Sequence, residues 1–173
     1  GVHALDLFRW FLGDFDEISA TLTSSFWPMP VEDNAFCTLR TAGGEVAQLH
    51  ASWTQWKNLF SFELCGARGY LLAEGLGGSY GAERLVIGLR AANGGAPQEG
   101  VMDFDGEDSS WEREWREFLS AIREERPPVG DGQDGLAALR LVEAAYASAR
   151  ERRAVSLSAK EEYAEPRVHR AVS

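Results

Sequence analysis

The sequence predicts an α+β fold in which an open, mostly antiparallel sheet carries helices on one face. Apolar side chains recur at helical spacing in the first residues and again in the last third of the chain. Between these two regions, apolar and polar residues alternate with a period of two, as they do in half-buried strands. A run of strands followed by helices indicates separate layers of sheet and helix rather than repeated βαβ units.

The first helix is predicted over residues 3–12, because Leu5, Phe8 and Leu12 lie on one helical face. Gly13 follows at the position of a helix C-cap. Strands are expected at residues 18–26, 35–41, 45–53, 59–65, 69–74, 85–89 and 101–104. Glycine-rich turns separate several of them and favour antiparallel neighbours.

Two amphipathic helices are predicted near the end of the chain, at residues 111–122 and 136–149. Pro127 and Pro128 break the helical pattern between them. A short strand is expected at residues 154–157. The charged, unpatterned residues 158–173 are expected to form a loose tail, so that the domain proper covers residues 1–157.

The composition of the 173 residues is that of a globular domain with a formal net charge of −10. This acidity makes nucleic acids and anionic membranes poor partners. No apolar run is long enough for a membrane span, and no signal peptide is recognisable. Cys37 and Cys65 are expected to be buried free thiols rather than a disulfide, as suits a cytoplasmic protein. The chain begins without an initiator methionine and within a helical pattern, which suggests the downstream part of a longer protein.

The strand at residues 45–53 raises the question of which face the helices cover. One face of the strand carries Glu45, Ala47, Leu49, Ala51 and Trp53. We expect this face to be open and to be covered by a two-fold copy of the chain. The alternative is that these side chains turn inward against the helices and leave the more polar face in solvent.

His3 and Asp6 share one face at the start of the first helix. Without further information, a packed histidine and a carboxylate that favours the positive helix end would explain them. Imidazole is also the commonest general acid or base, since it titrates near neutral pH. The residues alone leave both interpretations open.

A family resemblance begins with the segment GVHALDLFRWFLG at residues 1–13. It resembles the helix-opening G-x-H-x-x-D-L-x-R-W run of the glucose–fructose oxidoreductase / inositol dehydrogenase (Gfo/Idh/MocA) family. Similar pieces follow in the family's order, at residues 32–35, 66–71, 111–118, 134–136 and 143–149. Each piece is loose, but their order and spacing over about residues 1–157 are specific.

The resemblance implies the substrate-side and oligomerisation domain of a two-domain enzyme whose other, Rossmann-type domain holds NAD or NADP. Its substrate would be a secondary alcohol of a sugar, a polyol or an activated sugar. The family's histidine at the position of His3 takes part in proton transfer, so His3 is the expected catalytic residue. A homo-oligomer formed through the sheet is also implied.

Several features expected of the family do not occur in this sequence. No strand–G-x-G-x-x-G–helix unit and no Glu-Lys-Pro motif occur, so this chain alone is expected to bind no nicotinamide cofactor and to be inactive. Trp53, Lys57, Tyr80 and Arg84 are candidate sugar contacts, with a sheet or interface role as the alternative. A non-catalytic oligomerisation or ligand-binding module remains the alternative function.

Overall fold

The structure is a computed structural model that describes residues 1–157, and it divides into two compact units. One unit contains residues 1–53 and the described residues from 130 onward, and the other contains residues 54–129. The predicted tail at 158–173 lies outside the described residues, so the boundary at residue 157 stays a prediction.

The elements confirm the predicted order of a helix, a run of strands and two further helices. In chain order they are α1 (Val2–Leu12), β1 (Glu17–Thr23), β2 (Asn34–Arg40), β3 (Val46–Ser52), β4 (Ser61–Gly66), β5 (Gly69–Glu74), β6 (Glu83–Leu89), β7 (Gln98–Phe104), α2 (Ser110–Arg123), α3 (Gly132–Glu151) and β8 (Val155–Ser156). The α+β class and the antiparallel pairing of the strands are therefore confirmed.

The strands form two four-stranded sheets rather than the single open sheet expected from the sequence. The first has the order β3-β2-β1-β8, and the second has the order β4-β5-β6-β7. Periodicity locates strands but does not tell which strands pair, and the stretch from residue 53 to residue 60 between β3 and β4 has no regular structure. Each sheet is described below within its own unit.

The core of the first unit lies between its sheet and the helices α1 and α3. Ile18 of β1 pairs with Leu39 of β2, which pairs with Ala47 of β3. Ile18 and Leu39 are fully buried, with 0 % of their surface exposed. The buried residues of the helices are Leu5, Phe8, Ala138, Leu141, Ala145 and Ser148. Apolar burial on one face of the sheet thus fixes which side the helices cover.

The helix-facing side of β3 corrects the face assignment made from the sequence. Ala47 is buried and Leu49 is half-buried, so they lie with Ile18 and Leu39 on the helix side. Trp53 follows the end of β3 and is exposed. The alternation shows which residues share a face, but it cannot show which face the helices cover. The open face of this sheet is the opposite one.

The open face of the first sheet carries polar side chains around one aromatic pair. Phe36 and His50 pair across β2 and β3, and their rings stack at 4.4 Å with an interplanar angle of 15°. The side chains on this face that line a shallow groove are Ser19, Thr21, Phe36, Thr38, Gln48 and His50. Among residues 1–157, no helix of this unit lies against the face, because α1 and α3 lie on the other side.

Local capping explains why α3 is longer than the predicted helix. Asp131 accepts hydrogen bonds from the backbone N–H groups of Gln133 and Asp134, and the Asp134 side chain accepts one from the N–H of Asp131. This capping box starts the helix four residues before the apolar pattern becomes visible. Ser148, near the helix end, donates to the carbonyl of Arg153 and accepts the N–H of Ala20 in β1.

The second unit has one apolar sheet face and one mixed face. The apolar face carries Phe62, Leu64, Leu71, Ala73, Leu85, Ile87, Met102 and Phe104. On the mixed face, Arg84 pairs with Asp103 across β6 and β7. Cys65 lies exposed at the end of β4, so the prediction that it is buried was wrong, whereas Cys37 is buried; both are free thiols.

The amphipathic helix α2 leaves its apolar side exposed. Its exposed apolar residues are Trp111, Trp115, Phe118 and Ile122. Glu117 on the same helix binds Arg126 and the N–H of Val129, and these contacts hold its pKa at about 2. These four residues recur at spacings of three and four, so they form one apolar stripe along the helix.

Candidate functional site

His3 lies in the first turn of α1 with its side chain exposed. The helix starts at this point because Gly1 supplies the carbonyl that accepts the N–H groups of Ala4 and Leu5, at 3.0 and 3.2 Å. Leu5 and Phe8 face the core and fix the rotation of the helix. His3 therefore projects from a rigid element rather than from a loop.

The start of α1 lies against the end of β3. A Cβ atom built on Gly1 would lie 3.7 Å from the Cβ of Ala51. Ala51 is two residues before Trp53, and two residues span at most about 7 Å of chain. The helix end that carries His3 and the strand end that carries Trp53 thus meet at the same end of the first unit.

A buried carboxylate organises the loop that joins β1 to β2 at this end. Asp33, 1 % exposed, accepts the backbone N–H groups of Ser25, Phe26 and Trp27 at 2.7 to 3.1 Å. The side-chain amide of Asn34 donates a further hydrogen bond at 3.0 Å. The N–H of Ser25, followed by that of Phe26, lowers the pKa of Asp33 to about 2 against the opposing effect of burial.

The same loop is attached directly to Trp53. The N–H of Trp53 donates to the carbonyl of Asp33 at 2.8 Å, and the indole Nε1 of Trp27 donates to the carbonyl of Trp53 at 3.4 Å. Phe26 meets Trp27 edge to face at 5.1 Å. Trp27 and Trp53 nevertheless keep 43 % and 75 % of their surfaces exposed. The Trp27 indole is thus bound to the backbone of Trp53, and both tryptophan side chains remain open to solvent.

The other candidate residues from the sequence lie in the second unit. Lys57 is exposed and follows Trp56, whose φ of 56° is a left-handed conformation uncommon for an aromatic residue. Tyr80 is exposed in the turn between β5 and β6. Arg84 is bound to Asp103 at 3.0 Å and is the least available of these for a ligand. Each position is compatible with substrate contact, and their roles stay predictions.

The glycine-rich turn does not fit a dinucleotide. Gly75, Gly77, Gly78 and Gly81 all have positive φ, and at Gly75 a Cβ would lie 2.3 Å from the carbonyl oxygen of Ala82. This turn joins β5 to β6, which are antiparallel neighbours. A pyrophosphate site needs a strand that leads into a helix N-terminus. The residues of this turn therefore offer no cradle for NAD(P).

Within residues 1–157, no group of three or more histidine, cysteine, aspartate or glutamate side chains is placed to hold a metal ion. None of the helices in the same range is long and apolar enough to cross a bilayer.

The sequence analysis did not identify Trp27 or Asp33 as parts of a site. Asp33 falls within the segment 32–35 of the family resemblance, and Trp27 directly follows the strand predicted at residues 18–26. A signal was present, because an aspartate at the start of a strand after a proline-containing loop is a common acceptor for nearby backbone N–H groups. The sequence does not show which three N–H groups turn back to it.

Comparison with known proteins places the chain among oxidoreductases. Residues 1–157 match the family described as "Oxidoreductase family, C-terminal alpha/beta domain". The chain belongs to the Gfo/Idh/MocA oxidoreductase family. The family resemblance suggested by the sequence is therefore confirmed, and the chain corresponds to the family's C-terminal domain.

One curated relative and two solved structures illustrate what the chain is similar to. D-apiose dehydrogenase of Paraburkholderia graminis is 30 % identical over 172 residues, covering 93 % of this chain and 44 % of that protein. Levoglucosan dehydrogenase in complex with NADH and levoglucosan has a TM-score of 0.76 at 18 % identity, over 90 % of this chain and 48 % of that one. A myo-inositol dehydrogenase from Corynebacterium glutamicum has a TM-score of 0.68 at 24 % identity, over 90 % and 47 %.

These matches have a common limit in length. This Gfo/Idh/MocA chain spans less than half of the curated relative and of both solved structures. The structural matches, at under 25 % identity, establish the shared fold. The activity, substrate and partners of the whole protein are therefore matters for proposal.

Proposed function

We propose that this domain forms the substrate side of an NAD(P)-dependent dehydrogenase that acts on a secondary alcohol of a sugar or polyol. The observation that carries the proposal is the position of His3. It matches the family's histidine, it projects into solvent from the first turn of α1, and it lies at the end of the unit that displays Trp27 and Trp53. D-apiose and levoglucosan dehydrogenases among the similar proteins support a sugar as substrate.

In the proposed reaction, the His3 imidazole accepts the proton of the substrate hydroxyl as the carbinol carbon loses a hydride. The hydroxyl oxygen becomes the carbonyl oxygen, and a nicotinamide bound by the remainder of the full-length protein would supply the hydride acceptor. Reduction runs the same steps in reverse, with the imidazolium returning the proton. An imidazole suits both directions because it exchanges its proton near neutral pH.

Trp53, Lys57, Tyr80 and Arg84 are the proposed substrate contacts of this domain. An indole face packs well against the C–H surface of a sugar ring, and an ammonium or phenol can hydrogen-bond to its hydroxyls. The pairing of Arg84 with Asp103 makes it the weakest of the four candidates. A cytoplasmic location accompanies this proposal, since free thiols such as Cys37 and Cys65 persist in reducing compartments.

The nicotinamide is proposed to bind the other half of the full-length enzyme, as NADH accompanies levoglucosan in one similar structure. The apolar stripe of α2 is the kind of surface that a second domain covers. Alone, the 173-residue chain is expected to show no micromolar binding of NAD(H) or NADP(H) in calorimetric titration, because its glycine turn lacks a helix N-terminus.

The full-length enzyme is the matched control for this titration and is expected to bind one of the two cofactors in the micromolar range. Micromolar binding by the 173-residue chain itself would contradict the assignment of the cofactor to the other half. The same titration decides between NAD and NADP.

A homo-oligomer formed through the first sheet is the second part of the proposal. Its open face presents Phe36 and His50 among serine, threonine and glutamine side chains, and one symmetric copy can cover such a face with its own. This is the face opposite to the one favoured from the sequence. Leu49 is excluded from the proposed interface because it lies on the helix side.

Phe36→Glu is expected to weaken self-association of the full-length protein by about 10- to 100-fold in Kd, since it removes a large apolar side chain and buries a charge. Sedimentation velocity across a concentration series measures the shift. Ser61→Glu, at an exposed position of the second sheet, is the charge-matched control. Unchanged assembly of the Phe36→Glu protein would mean that another surface mediates it.

A further inference from the structure

The loop between β1 and β2 has a construction that the proposed proton transfer does not explain. Asp33 is a buried carboxylate whose oxygens face three consecutive backbone N–H groups, from Ser25 to Trp27. Removing a carboxylate from water is unfavourable unless hydrogen bonds replace the lost hydration. Here they do, and the consequence is a loop tip fixed in one conformation.

The fixed loop tip keeps the Trp27 indole exposed, whereas a flexible loop could fold this indole against the protein. Trp27 remains 43 % exposed although its backbone is bound by Asp33 and its Nε1 by the carbonyl of Trp53. Trp53 is in turn bound to the Asp33 carbonyl. The Trp27 indole, the Trp53 backbone and the Asp33 carboxylate therefore form one hydrogen-bonded assembly, which limits the movement of the loop tip relative to the end of β3.

The assembly lies at the end of the unit where α1 begins. Trp53 follows Ala51 by two residues. A Cβ atom built on Gly1, at the start of α1, would lie 3.7 Å from the Cβ of Ala51. If the carbinol of the substrate lies near His3, the other carbons of the substrate would face the protein surface next to His3. An ordered aromatic surface suits these carbons, because a sugar ring presents a flat array of C–H groups to one face.

We propose that Trp27, positioned by Asp33, forms with Trp53 an aromatic wall that binds the C–H face of the sugar next to His3. This inference rests on the proposed function and adds Trp27 as a substrate contact and Asp33 as a positioning residue. Both residues act on substrate binding and not on the proton transfer. Preorganisation of the wall lowers the entropy that substrate binding must overcome.

The test uses the full-length protein with D-apiose, levoglucosan and myo-inositol as probes. For the sugar that is turned over best, Trp27→Ala is expected to raise KM by about 10- to 100-fold, the range for loss of a large apolar contact. The KM for the nicotinamide is expected to stay within about 2-fold. Trp27→Phe, which retains a ring, is expected to lie between wild type and Trp27→Ala.

Trp10→Ala is the matched control, because Trp10 is an exposed indole on α1 about two turns from His3. It is expected to leave both KM values unchanged. Asp33→Asn is expected to raise the sugar KM in the wild-type background and to add little in the Trp27→Ala background, since the two residues act through the same wall. A purely structural role for Asp33 would give additive losses in kcat.

Saturation-transfer NMR on the same three sugars, with NADH or NADPH present, separates failure of the wall from failure of the enzyme proposal. If the wild-type protein contacts a sugar without turning it over, and Trp27→Ala abolishes that contact, the result supports the wall and contradicts the dehydrogenase proposal. Turnover with a sugar KM that Trp27→Ala leaves unchanged contradicts the wall and supports the dehydrogenase. Absence of contact with any of the three sugars overturns the wall.

Discussion

His3→Ala in the full-length enzyme is expected to lower kcat by about 10²- to 10⁴-fold, the usual range for loss of a general acid or base. The fold of the domain is expected to persist, because His3 is exposed and Leu5 and Phe8 hold α1 against the core. The KM for the nicotinamide is expected to be unchanged, since that site is proposed to lie outside this chain. Steady-state kinetics with D-apiose, levoglucosan and myo-inositol measure the effect.

Two comparisons distinguish proton transfer by His3 from a packing effect. Val2→Ala alters the adjacent exposed position on α1 and is expected to leave kcat within about 2-fold. Added imidazole is expected to restore part of the activity of His3→Ala, because it can occupy the space vacated by the side chain and accept the proton. If His3→Ala retains near wild-type kcat, then His3 is a helix-terminal residue without a catalytic role.

The positions of the elements could be predicted because they depend on local patterns. The sequence predicts a strand at residues 69–74 because glycines mark its ends, and β5 spans the same residues. Similarly, Gly13 ends α1 with a positive φ of 79°, as a C-cap glycine does. The start of α3 was missed by four residues, because Gly132 and Gly135 weaken the helical pattern that the Asp131 cap restores.

The pairing of strands and the faces of the sheets depend on contacts between distant residues. The alternation in β3 groups Ala47 with Leu49, but only the presence of α1 and α3 on one side makes that group the buried one. Cys65 also shows that a local pattern does not determine burial. Its apolar neighbours suggested that it is buried, but it lies exposed at the end of β4.

The candidate site divides in a similar way between local and distant information. His3 could be proposed from the sequence because a family-like motif surrounds it within one helix, and its catalytic role stays a prediction. Trp27 could not, because its position depends on Asp33, six residues away, and on Trp53 of another strand end. The amino-acid sequence does not show which backbone N–H groups converge on one carboxylate, so a structure is needed to identify them.

Leu39→Ala is expected to destabilise the first unit by about 2–5 kcal/mol, as truncations at fully buried positions do. Leu39 lies at the centre of the sheet, with Ile18 on one side and Ala47 on the other. Its exposed fraction is 0 %. The cost depends on how far the neighbours can close the cavity, and paired strands and two helices leave them little freedom.

Native-state hydrogen exchange of the 173-residue chain measures this loss at the amides of β1, β2 and β3, which belong to one unit. Thr38→Ala is the matched control at the adjacent position, because Thr38 is exposed on the open face. It is expected to cost less than about 1 kcal/mol, the range of strand propensity. Equal losses for the two variants would mean that the helix-facing side of β2 is not the core of the unit.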